Sequence, residues 1–81
     1  MRYKIEYFRM KTDKWGHILP CEVYLEYANT LTEAENKAHE ISLKFKKYSV
    51  NVYDLQGYGK VTWLVGGYEK GVYYKNDNYK R

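Results

Sequence analysis

Residues able to do chemistry are few in this 81-residue chain, and their spacing sets them apart. His17 and Cys21 stand on either side of Pro20, and His39 is alone. A metal site needs several His, Cys or carboxylate ligands converging, and neither CxxC nor HxxxH spacing occurs. A cysteine nucleophile needs a base and a third group to orient that base, and no such group accompanies this pair. Gly57-Tyr58-Gly59-Lys60 has the glycines and lysine of a phosphate-cradling loop. Such a loop joins a strand to a helix N-terminus, however, and the residues after Lys60 alternate as a strand does, so a hairpin turn is the expected structure. The expectation is a protein that is not an enzyme, with no catalytic residue, no metal and no cofactor, and with Cys21 as a small apolar residue.

Aromatic and basic side chains are the other chemical resource. Eleven tyrosines and two tryptophans accompany a net charge of +4. The charge gathers at the ends: residues 1–14 hold five cations against two carboxylates, and residues 70–81 hold four against one. Arg9, Lys11, Lys14 and Trp15 lie in one connecting stretch, Lys60 beside Tyr58 in another, and Tyr74, Lys75, Lys80 and Arg81 at the C-terminal end. Rings that stack on bases and cations that meet phosphate are the ingredients of a nucleic-acid contact. Tyrosine and tryptophan equally anchor protein interfaces, where they bury much area at little rotamer cost.

These groups need elements to position them. Residues 3–10 alternate, with Tyr3, Ile5 and Tyr7 on one side and Lys4, Glu6 and Phe8 on the other, as in a strand. Asp13, Gly16 and Pro20 punctuate a long hairpin connection with Trp15 near its tip. CEVYLEY alternates again, setting Cys21, Val23, Leu25 and Tyr27 against Glu22, Tyr24 and Glu26. Residues 29–48 predict one helix, capped by Thr30 with Glu33 or by Thr32 with Glu35. Its stripe is Leu31, Ala34, Ala38, Ile41, Phe45 and Tyr48. Glu33 and Glu35 near the start, and Lys44, Lys46 and Lys47 near the end, suit the helix dipole. SVNVYDL and KVTWLVGG predict a second hairpin that ends at Gly66 and Gly67, with a short fifth strand around Val72 to Tyr74.

The expected fold is thus α+β: a single domain over residues 1–75 in ββαββ order, an antiparallel sheet with one helix on one face, and a polar tail over 76–81. The helix stripe should meet Ile5, Val23, Leu25, Val50 and Val52. The reverse of the sheet should present Tyr24, Tyr53 and Leu55 among Lys4, Glu6, Glu22 and Glu26, while the side taken by Trp63 is open. One helix covers one face, so the aromatic half of the other, formed by the second hairpin, is left for a partner.

Residues 3–41 also resemble the start of HicB-type antitoxins, through a leading strand, Leu19-Pro20-Cys21 and a helix opening Thr30-Leu31-Thr32-Glu33-Ala34. The glycines that family sets around its Pro-Cys are missing and the C-terminal half shares no motif, so the resemblance implies no functional residue here.

No run of eighteen apolar residues and no signal-peptide block is present, which predicts a cytoplasmic protein. The functional expectation is a small regulatory protein that occupies a protein partner, or a second copy as a homodimer, through Tyr24, Tyr53, Leu55, Tyr58 and Trp63. Small phage-encoded inhibitors act in this general manner, an analogy of class only. The contrasting expectation is a nucleic-acid-binding accessory protein using Arg9, Lys11, Lys14, Trp15, Lys60, Tyr74, Lys75, Lys80 and Arg81.

Overall fold

The computed structural model describes residues 1–56 and 61–79. Six elements follow one another: β1 (Tyr3–Thr12), β2 (Ile18–Ala28), α1 (Leu31–Lys44), β3 (Ser49–Asp54), β4 (Trp63–Glu69) and β5 (Val72–Lys75). The strands make one antiparallel sheet in the order β2-β1-β3-β4-β5, and α1 lies across one face of it. This is the α+β arrangement that the alternating patterns and the single helical stripe imply, with the short fifth strand present as β5.

The core forms where helix and sheet are both apolar. Ile5, Val50, Val52 and Val65 lie beneath Ala34, Ala38 and Ile41, with Tyr3, Ala28 and Tyr79 at the margins. Alanines at 34 and 38 leave the helix no side-chain bulk to hold it off the valines, so the layers close tightly. Thr30 is the N-cap: its Oγ1 accepts from the Glu33 N–H at 3.2 Å, while Glu33 Oε2 accepts from the Asn29 N–H at 3.4 Å. The helix stops at Lys44, earlier than its stripe suggests. Phe45 leaves helical geometry at φ −123°, ψ 73°, yet its N–H still donates to the Ile41 carbonyl. Of the three lysines expected at the negative end of the dipole, only Lys44 is therefore in the last turn.

The paired glycines do not end the second hairpin. Both lie inside β4, where a Cβ on Gly67 would overlap the Val50 carbonyl oxygen of the neighbouring strand. Gly66 adopts φ +155° beside a register shift between Val52 and Tyr53, so the glycines serve a bulge and a close strand approach. Lys70 and Gly71, at φ 51° and 83°, make the turn into β5, as a tight hairpin requires.

The segment after β5 folds back on the sheet. Asn76 donates from its backbone to the Val65 carbonyl and from Nδ2 to the Leu64 carbonyl. That turn delivers Tyr79 to the core, where its hydroxyl donates to Asp54 Oδ2 at 2.8 Å. Asp54, only 1% exposed, also accepts two hydrogen bonds from Arg2 at 3.0 Å and one from the Gln56 N–H at 3.0 Å. One buried carboxylate thus ties both chain ends to the end of β3. The Arg2 guanidinium holds that carboxyl below the usual carboxylate range, against the opposing effect of burial.

Candidate interaction surface on the first hairpin

Strand register decides which side chains the sheet turns away from the helix. Opposed residues in an antiparallel pair share a face. Tyr3, Ile5 and Tyr7, which point to the helix, stand opposite Ala28, Glu26 and Tyr24 of β2. Val23, Leu25 and Tyr27 therefore face outward. This reverses the expectation that Val23 and Leu25 meet the helix stripe while Glu22, Tyr24 and Glu26 lie outside. Size accounts for it: β2 is an edge strand where the chain turns into the helix, and Ala28 is the residue of β2 that becomes fully buried there. Tyr24 and Glu26 sit farther out on the same side, at the margin that the helix leaves open.

Tyr24 joins a cluster of rings at the helix C-terminus. The Tyr7 centroid lies 5.3 Å from Tyr24, 6.0 Å from Phe45 and 6.1 Å from Tyr48. Separations of this order are those of favourable ring pairs, so the cluster extends the small core. Its polar margin is satisfied locally. The Tyr48 hydroxyl donates to Glu22 Oε2 at 2.9 Å, which raises its pKa above the ordinary phenol value, and Arg9 lies 3.5 Å from the same carboxylate oxygen. Glu22 itself sits at φ 50°, in a bulge that places one extra residue of β2 opposite β1 between Tyr7 and Arg9.

Beyond that bulge the first hairpin outruns the rest of the sheet. The pairing of β3 with β1 stops at Ser49 opposite Phe8, whereas β1 and β2 remain paired out to Thr12 and Ile18. Along both strands the outer face is apolar: Tyr27, Leu25, Val23, Pro20 and Ile18 on β2, with Phe8 and Met10 beside them on β1. Exposure is 43% for Tyr27, 48% for Leu25, 51% for Val23 and 64% for Ile18. Lys4 and Glu6 are the only charged residues of this strip, and they cancel. Lys4 Nζ stands 5.0 Å from the Tyr53 ring centroid on the adjacent strand.

Of the five residues expected to form one partner surface, the four described do not share one face. Tyr53 is on the outer face, partly buried, and Leu55 follows the end of β3, its N–H bound to the Arg2 carbonyl. Tyr24 is in the ring cluster on the helix side. Trp63 stands opposite Asp54 and packs against the core, which settles its side. Tyr58 lies outside the described residues. The outer surface of β3 and β4 carries the partly buried Tyr53 and Leu64, and the exposed Val61 and Val72 lie outside the β3–β4 pairing, so the run of exposed apolar side chains along paired strands is that of the first hairpin.

The described members of the basic and aromatic set are also dispersed. Trp15 is at the hairpin tip, 71% exposed, with Lys14 Nζ 4.5 Å from its ring centroid. Asp13 shapes that tip by accepting from the Trp15 and His17 backbone N–H groups at 2.9 and 2.8 Å. Arg9 and Lys11 fall on the helix side of the arm by register, and Arg9 is engaged with Glu22. Tyr74 is on the outer face, where its hydroxyl donates to Asn51 Oδ1, and Lys75 is on the opposite face. Lys60, Lys80 and Arg81 lie outside the described residues. Among the described residues no three His, Cys, Asp or Glu side chains converge as metal ligands. No helix among them is long and apolar enough to cross a membrane.

Sequence reasoning missed Ile18, Val23, Leu25, Met10 and Phe8 as surface candidates. The signal is present as a second apolar alternation on β2, but alternation does not say which side faces the helix, and the pairing of Tyr7 with Tyr24 sets it. Searches against family models, curated proteins and solved structures return no match to this chain.

Proposed function

We propose that this protein is a small non-enzymatic binding module that occupies a protein partner through the outer face of its first hairpin. The observation that carries this reading is the outward orientation of Val23, Leu25 and Tyr27 beside Ile18 and Met10, which makes a continuous apolar strip along two strands. Soluble monomers rarely expose apolar patches above a few hundred Å², and larger ones mark interaction sites. Charge supports a protein partner over nucleic acid. The strip carries one lysine and one glutamate, so it attracts no polyanion, and phosphate contacts supply most of the affinity in nucleic-acid binding. An inhibitor or adaptor role follows from this mode of action, since the module acts by covering a surface.

The test is retention of proteins from an extract of the source cells on immobilised wild-type chain and on a Leu25→Asp variant of unchanged circular dichroism. The reading predicts a discrete retained protein that the variant loses. Equal retention by both chains contradicts it, as does oligonucleotide binding that collapses with added salt and ignores Leu25.

A further inference from the structure

We infer that the occupant of this face is a second copy of the chain, packed outer face to outer face about a two-fold axis. The inference takes the strip to be a protein interface, as proposed above, and names the partner. Four features of the molecule point to self-association.

The first is the arm. Beyond Phe8, residues of β1 and β2 pair only with each other, and a two-stranded ribbon without a third layer is marginally stable in water. Its outer side chains Met10, Pro20 and Ile18 therefore gain most from lying on another sheet. The second is the symmetry of the strip. Outward residues run along the hairpin as four paired rows, two on either side of a middle row where Phe8 faces the bulge that includes Val23. An axis crossing the strands at that row sets Ile18 and Pro20 of each copy over Tyr27 and Leu25 of the other. Each arm then rests on the other copy's sheet, in the aligned manner of two packed sheets.

The third feature is area. With ordinary side-chain surfaces, the exposed fractions along the strip amount to about 600 Å² per copy, close to the ~800 Å² that each partner of a standard interface buries. The fourth is the core. Of its ten described residues three are alanine and three are valine, which is a thin interior for a domain of this length. Small domains commonly draw further burial from association. Charge permits the pairing as well: Lys4 and Glu6 leave each strip neutral.

Sedimentation equilibrium of the full chain from roughly 1 to 100 µM tests the proposal. The expected result is a mass rising from 9.8 kDa to twice that value, with a melting temperature that climbs with concentration. Ile18→Asp, on the arm beyond the helix-covered sheet, and Leu25→Asp are expected to hold the mass at 9.8 kDa with unchanged far-ultraviolet circular dichroism. Leu43→Asp, at an equally apolar and exposed position on α1, is expected to leave association intact. A wild-type mass of 9.8 kDa throughout overturns the inference, and so do association that ignores Ile18 and Leu25 and assembly beyond two copies. A monomer that still retains another protein through Leu25 defeats the second copy and leaves the binding module standing. A monomer without such retention defeats both.

Discussion

Replacing Tyr79 by phenylalanine removes one buried hydroxyl, hydrogen-bonded to Asp54 and adjoining Tyr3, at the point where the segment after β5 meets the start of the sheet. The ring stays in the core, and only the hydroxyl that donates to Asp54 Oδ2 at 2.8 Å is removed. Asp54 is 1% exposed, so water cannot replace the lost donor. A hydrogen bond to a charged buried acceptor contributes about 1.5–3 kcal/mol. In a domain of this size that lowers the melting temperature by about 10 °C, read by circular dichroism. The pH dependence carries a second signature. Asp54 has its pKa lowered in the fold, chiefly by the Arg2 hydrogen bonds, so its contribution is complete above the ordinary carboxylate pKa and is lost as pH falls below about 4. Tyr79 has its pKa raised, first by burial and then by Asp54, so its contribution is complete below about pH 10 and is lost as pH rises further. The variant should therefore lose stability near neutrality, keep most of its acid transition because Arg2 still lowers Asp54, and show a shallower alkaline one. A melting temperature within about 2 °C of wild type, with an unchanged alkaline limb, refutes this account of the tail.

Other consequences follow from the same geometry. Gly67→Ala forces a methyl group onto the Val50 carbonyl, and thermal melting should show a loss of about 2 kcal/mol or more, whereas Gly16→Ala, at φ +84° in open space, should cost about 1 kcal/mol. Thr30→Ala removes the acceptor of the Glu33 N–H and should destabilise the chain by about 1 kcal/mol in urea titration. Trp15→Ala at the exposed hairpin tip should leave stability within about 0.5 kcal/mol, measured by the same titration.

The layers were legible because each rests on a periodicity. The Leu31, Ala34, Ala38, Ile41 series could satisfy only a helix, and the alternation in β1 and β3 placed Ile5, Val50 and Val52 in the core, where they lie. The helix end was less legible, since Phe45 and Tyr48 keep the helical spacing but reach the Tyr7 and Tyr24 rings from a non-helical connection. The faces of β2 were not legible at all. Alternation fixes which residues share a side and leaves open which side is inward, and that choice turned on the pairing of Tyr7 with Tyr24 and on the small Ala28 under the helix. Two bulges added to the difficulty, because an extra residue at Glu22 or Val65 exchanges the faces of everything beyond it. The candidate site inherits this: its members were all visible as apolar residues, and the expected surface failed to converge because it mixed two sides of the sheet.

The orientation of β2 is the point on which the binding surface depends, and proton nuclear Overhauser effects measure it directly. The structure requires contacts between the ring protons of Tyr24 and those of Tyr7 and Tyr48, and none between the methyl groups of Leu25 or Val23 and those of Ala38 or Ile41. Leu25 methyl contacts to Ile41, with the Tyr24 ring remote from Tyr48, would contradict the orientation and remove the apolar strip with it.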